Sequence, residues 1–223
     1  VAIAPPRRRR SAVPLRRLLR HDLALAARFV GGADEAGRGS LAGPLVAAAV
    51  LLEPAALTVA DRRTLARLDD SKRCTAIARA TLLPAVLAAA RSVCLVVVPP
   101  TVIDRDNIHV ANLRALADAL DGLEAPAEAV LLSDGFRLPL ARPHTAVIDG
   151  DEKSACVAAA SIVAKVTRDR LMARIDASFP AYGFVRHVGY GTPEHLAALR
   201  RLGPTVHHRR SFSPCAQLPL DLP

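Results

Sequence analysis

Three short apolar stretches of this chain run almost directly into acid. Residues 29–33 lead into Asp34-Glu35, residues 129–132 into Asp134-Gly135 and residues 145–148 into Asp149-Gly150-Asp151. If these stretches are neighbouring strands running the same way, their carboxyl ends share one edge of a sheet. That edge is where α/β folds usually carry their chemistry.

The rest of the pattern agrees with such a sheet. Residues 45–52 form an unbroken apolar run suited to a strand buried on both faces, and residues 92–98 are rich in β-branched side chains before Pro99-Pro100. Helical spacing covers residues 15–28, 75–90 (with Pro84 inside), 102–120 and 152–177. Thr192-Pro193-Glu194 starts a further short helix, and Gly203-Pro204 stops it. Strands alternating with helices define the α/β class. With 223 residues, one large domain is expected at 15–214, between an Arg/Pro-rich flexible tail at 1–14 and a C-terminal tail at 215–223.

Composition excludes several functions. The four cysteines contain no C-x-x-C pair, which argues against a disulfide scaffold or a cysteine zinc site and fits a reduced, cytoplasmic setting. The charge-free run 41–52 is about half of what a membrane helix needs, and Gly43-Pro44 interrupts it. Arg16, Arg17 and Arg20 break up any signal-peptide core, and Val1 in place of Met leaves the true start open. The net charge of +9 is mostly a tail effect: residues 1–20 hold seven arginines and no acid, leaving 23 basic against 21 acidic residues elsewhere. A uniformly basic nucleic-acid surface is therefore not expected. A local one is, since residues 186–210 hold five Arg and one Glu, with His207 and His208 beside Arg209 and Arg210 as a basic rim.

Clustered carboxylates repel one another and favour a cation between them. Oxygen donors suit Mg²⁺ or Mn²⁺ better than zinc, and the chemistry they serve best is two-metal phosphoryl transfer. None of the seven histidines has a metal-ligand spacing with another. Asp34 and Glu35, being adjacent, point to opposite faces of a regular strand, so the strand is expected to end there for both to reach one site. Asp-Gly after a strand is also ordinary turn chemistry, and spacing leaves Asp149 and Asp151 equivalent.

Longer blocks are more specific. Residues 32–44 (GADEAGRGSLAGP) closely resemble the opening motif of the bacterial type 2 ribonucleases H, the ribonuclease HII family. The match continues through Asp70-Ser71-Lys72, Ile103-Asp104 with Asn107-Ile108, Ser133-Asp134-Gly135, Gly150-Asp151, residues 158–169 (AAASIVAKVTRD), Gly189-Tyr190-Gly191-Thr192 and residues 208–212 (HRRSF). The resemblance implies a ribonuclease H-like fold, with a mixed central sheet flanked by helices and a C-terminal helical portion. It implies a metal-dependent endoribonuclease that cleaves the RNA strand of RNA–DNA hybrids and single ribonucleotides in duplex DNA, leaving 3′-hydroxyl and 5′-phosphate ends. Asp34, Glu35, Asp134 and Asp151 then match the catalytic carboxylates that hold two Mn²⁺ or Mg²⁺ ions, and Asp149 becomes a solvated turn residue. Gly37, Arg38 and Gly39 match a loop reading the ribose 2′-hydroxyl, where glycines permit close backbone approach. Tyr190 matches a tyrosine packing on the adjoining deoxyribose.

Lys72, Lys165 and Arg168 are candidates for phosphate contacts, with an ion pair the plainer role for Arg168 and an i,i+4 partner for Lys165 in Asp169. Residues 158–161 suit close helix–sheet packing. A monomer with no membrane partner is expected. The tail at 217–222 faintly resembles sliding-clamp-binding peptides but lacks their aromatic anchor. The alternatives are a type 3 ribonuclease H preferring long hybrids, against which residues 1–27 are too few for an added substrate-binding domain, and a non-catalytic RNA–DNA binding module.

Overall fold

The computed structural model describes residues 15–65, 68 and 76–217. Five strands form a mixed sheet in the order β3-β2-β1-β4-β5: β1 (Val30–Ala36), β2 (Leu45–Leu52), β3 (Ser92–Val98), β4 (Val130–Asp134) and β5 (Thr145–Val147). β1 and β2 pair antiparallel from Val30↔Leu52 to Ala36↔Val46, and β2 pairs antiparallel with β3. β1, β4 and β5 run parallel, so their carboxyl ends do share one edge.

β2 is buried along its whole length, which its unbroken apolar sequence requires. Its alternate side chains feed two cores. Val46, Ala48, Val50 and Leu52 pack toward helix α6 (Ala155–Ser178), whereas Leu45, Ala47, Ala49 and Leu51 join Leu116 and Leu120 of helix α5 (Ile108–Asp121). The α6 contact leaves no space above β1, because a Cβ on Gly32 would lie 2.5 Å from Val157 N. Ser154 caps α6 by accepting from Val157 N at 3.3 Å. Buried Asp22 of α1 (Leu15–Ala24) adds a second cap, accepting from Cys156 N at 3.1 Å.

The expected elements are present, with shifted ends. β1 continues through Asp34 and Glu35 to Ala36 instead of stopping at 33. The single helix expected at 102–120 is two, α4 (Pro100–Asp106) and α5, because Asn107 turns the chain at φ 64°, ψ 158°. Its Oδ1 accepts from His109 N and Val110 N and so caps the new helix. Helix α2 (Val59–Leu65) is not among the expected elements, while α3 (Ala76–Ala89) accommodates Pro84. The long helix begins three residues late, because Gly150–Glu152 form a separate 3₁₀ turn. Beyond it, α7 (Phe184–His187) and α8 (Pro193–Leu202) form the C-terminal helical part, with Thr192 capping α8 through its hydroxyl. The packed body runs past 214, since Cys215 is buried against Leu41 and Leu199. Among the described residues no helix is long and apolar enough to cross a membrane.

Candidate active site

Where β1 and β4 end, a cavity of about 380 Å³ opens between the sheet edge and α6. Asp34, Glu35 and Asp134 line it together with Gly37, Arg38, Gly39, Arg79, Ser161, Lys165 and Tyr190. Asp34 and Glu35 obey strand alternation. Asp34 points to the α6 face, near Ser161, and Glu35 points to the α5 face beside Asn112. They reach one cavity because it straddles the end of the sheet; the strand itself need not stop.

The second strand end is built by the chain's own turn. Asp134 Oδ1 accepts from Gly150 N at 2.6 Å, which ties the tip of β4 to the 3₁₀ turn carrying Asp151. Asp151 is close enough for its charge to act on Asp34, although it does not line the cavity. Asp149 occupies the left-handed position before that turn (φ 53°, ψ 46°), a backbone role.

Charge in this cluster is not balanced. Burial, followed by the charges of Glu35 and Asp134, pushes the Asp34 carboxyl well above its usual range. Burial and the Asp134 charge raise Glu35 to about 7, against the opposing pull of Arg38 and Asn112. Glu35 Oε2 is buried and, among the described residues, accepts no hydrogen bond. An orphaned carboxylate oxygen among mutually repelling acids, all hard oxygen donors, fits a divalent cation. Among the described residues, however, no three His, Cys, Asp or Glu side chains stand in a ready-made ligand cluster.

The loop after β1 is held from beneath by two buried arginines. Arg209 donates to Gly37 O (2.7 Å), Arg38 O (2.8 Å) and Gly43 O (3.0 Å). Arg168 donates to Pro44 O (2.9 Å), Val188 O (2.9 Å) and Ala42 O (3.1 Å). Gly37 sits at φ +90° directly over the Arg168 side chain, where any Cβ would collide with the guanidinium. Both guanidiniums are fully buried, which corrects two expectations. Among the described residues Arg168 forms no ion pair and donates to backbone carbonyls, and His208 and Arg209 are buried interior, not an exposed rim. Carbonyl oxygens took the place of the anion that a charge in sequence suggests.

Arg38 extends the loop outward, its guanidinium 4.6 Å from the Phe136 ring centroid. Tyr190, 39% exposed, stands across the cavity with the Arg168 guanidinium 5.6 Å from its ring centroid. Lys165 lines the cavity while its ammonium donates to Asp169 Oδ1 at 2.6 Å, as the i,i+4 spacing expects. Lys72 lies outside the described residues. Arg79 and Asn112 carry no expectation from sequence, and Arg209 is expected there only as part of a basic rim. Ser161, one of the small residues suited to packing, also lines the cavity, near Asp34. Arg79 carries no motif signal at all.

Comparison with known proteins narrows the chemistry. A family model described as ribonuclease HII matches residues 31–215. A ribonuclease HII of Azorhizobium caulinodans is 56% identical over 185 residues, covering 83% of this chain and 68% of that protein. The fold is similar to that of ribonuclease H2 from Pyrococcus horikoshii, with a TM-score of 0.72 and 24% identity over 85% of this chain and 96% of the other. It is also similar to Bst-RNase HIII, solved in complex with Mn²⁺, at a TM-score of 0.62 and 18% identity over 86% of this chain and 69% of that one.

Proposed function

Since the chain belongs to the ribonuclease HII family, we propose that its cavity hydrolyses phosphodiesters at ribonucleotides, both in RNA–DNA hybrids and at single ribonucleotides in duplex DNA. The observation that carries this reading is the shared cavity. Carboxylates from two parallel strand ends, a glycine loop and an exposed tyrosine all face the same space.

In this reading Gly37, Arg38 and Gly39 bring backbone close to the ribose, where the 2′-hydroxyl separates RNA from DNA. Arg209 holds two of the loop's carbonyls inward, so its shape is set before substrate arrives. Tyr190 offers a flat apolar face for the neighbouring deoxyribose. Lys165 and Arg79 bring positive charge to the cavity wall near the phosphates, each beside Asp169, and Lys72 is a further phosphate contact. Asp34, Glu35, Asp134 and Asp151 would hold Mg²⁺ or Mn²⁺. Bound there, such ions would supply an activated water and offset charge on the leaving oxygen. Water adds to phosphorus, the bond to the 3′ oxygen breaks, and the products carry a 3′-hydroxyl and a 5′-phosphate.

The test uses two labelled duplexes, one with a single ribonucleotide and one a long hybrid, in Mg²⁺ or Mn²⁺. Wild type should cut both, and Asp34→Asn should lose most activity. Cleavage of long hybrids alone would favour a type 3 preference, and tight binding without cleavage in either metal would favour a binding module.

A further inference from the structure

His187, His195 and His208 are buried together behind Tyr190. The His187 and His195 rings stack with centroids 4.4 Å apart, and His195 Nε2 lies 3.1 Å from His208 Nε2. Phe184 packs against all three rings.

The proton positions follow from what each nitrogen faces. Thr205 N–H can only donate, and it meets His208 Nδ1 at 2.9 Å; the Thr205 hydroxyl, also 2.9 Å away, accepts from His207 N and turns its own hydrogen to that nitrogen, so Nδ1 carries none. A neutral imidazole bare at Nδ1 has its hydrogen on Nε2, and His208 therefore donates to His195 Nε2. His195 must then carry its hydrogen on Nδ1, which lies 2.9 Å from the Tyr190 carbonyl oxygen, a group that can only accept. The series starts on a backbone donor and ends on a backbone acceptor, and only one tautomer of each ring satisfies both ends. His187 follows the same logic, accepting from Gly189 N at Nδ1 and donating to Tyr182 O from Nε2.

An added proton would set one N–H against another. Burial already holds His208 down at about 3, with the charges of His195, Arg210 and His207 acting the same way. Burial also lowers His195, with the His187 charge adding to it and the Tyr190 carbonyl opposing. His208 is thus neutral across the neutral pH range, and His195 is pushed in the same direction.

We propose that Thr205, His208 and His195 form a fixed hydrogen-bond relay that positions Tyr190, which makes the two histidines specificity-determining positioning residues. The Tyr190 ring is partly exposed, so its presentation depends on its backbone. That backbone is anchored by Tyr190 N donating to His187 O and by His195 donating to Tyr190 O. Next to it, Gly189 O accepts from Leu41 N and Ala42 N. The segment that starts the relay at Thr205 also supplies Arg209 to the Gly37 and Arg38 carbonyls. One piece of chain therefore sets the distance between the glycine loop and the tyrosine across the cavity. This role rests on the proposed function, in which those two features read the ribose and its deoxyribose neighbour.

Two measurements test it. Long-range ¹H–¹⁵N correlation spectra of the wild-type protein between pH 6 and 8 should show His208 as the Nε2–H tautomer and His195 as the Nδ1–H tautomer. The opposite tautomers, or a protonated ring, would overturn the relay whatever the protein cleaves. The second measurement is a double-mutant cycle on kcat/KM for the single-ribonucleotide duplex. His195→Leu should lower it about ten-fold, and His195→Asn, whose amide nitrogen can stand where Nδ1 does, should restore most of the loss. In a Tyr190→Ala background His195→Leu should change little. Equal losses in both backgrounds, or no rescue by Asn, would make the histidines merely structural. A wild type that cuts neither substrate would overturn the proposed function and the specificity role with it, leaving the spectra to decide the relay alone.

Discussion

Replacing Glu35 by Gln should make the metal-free protein more stable while removing its activity. In the folded chain Glu35 is raised from 4.5 to about 7, burial contributing most and Asp134 next. A carboxyl raised on folding favours the folded state in its protonated form. Its penalty is absent below pH 4.5, grows between 4.5 and 7, and is complete above 7. At roughly 1.4 kcal/mol per pH unit the full penalty is about 3 kcal/mol, an upper bound because neighbouring groups relax. For a chain of this length that corresponds to roughly 6–12 °C in Tm. The assay is thermal unfolding in chelator from pH 4.5 to 8.5, for wild type and Glu35→Gln. Wild type should lose stability as pH rises through the window, whereas the variant should lose less and melt higher at pH 8. Adding Mn²⁺ should close the gap by stabilising wild type more than the variant. A flat wild-type profile in chelator, or a variant that melts lower than wild type at pH 8, would refute the claim that repulsion and burial at this edge are unrelieved without a cation.

Arg209→Met should cost roughly 3 kcal/mol or more in urea unfolding, because it strands the carbonyls of Gly37, Arg38 and Gly43. At temperatures where the variant stays folded it should bind substrate more weakly. Gly32→Ala drives a methyl into the backbone of α6 and should cost roughly 3 kcal/mol, measured the same way. Asn107→Ala should cost roughly 2 kcal/mol through loss of the cap and a backbone angle that alanine resists. Asn107→Gly should be near neutral, and a loss equal to that of alanine would show that backbone angle is unimportant there.

The parallel strand ends and their acids were legible because apolar runs followed by Asp report both a strand and its exit. β2 was legible because a strand buried on both faces leaves no polar trace. The extension of β1 was not, since Gly, Asp and Glu are poor strand formers and only pairing with β2 keeps Asp34 and Glu35 in the ladder. The break at Asn107 is a cap hidden inside an otherwise continuous helical pattern. Spacing could not choose Asp151 over Asp149; the family resemblance favoured Asp151, and the structure gives Asp149 a backbone role. Arg168 and Arg209 were misread for a simple reason. Charge in a sequence suggests solvent or a carboxylate, and six carbonyls folded around a guanidinium pair leave no mark on composition.

Those two arginines also bear on how the cavity meets a polyanion. Neither forms an ion pair among the described residues, and Arg209 stays protonated at neutral pH even though burial and the nearby Arg168 charge bring it down to about 9. Two positive charges therefore lie under the Gly37–Gly39 turn, out of reach of dissolved counterions. Mobile salt screens exposed charges over about 8 Å at physiological strength and buried ones far less. The potential above the turn should thus persist in salt that silences surface arginines. On the proposed function, part of the attraction for a phosphate chain would be built into the floor of the site and would release no counterion when substrate binds.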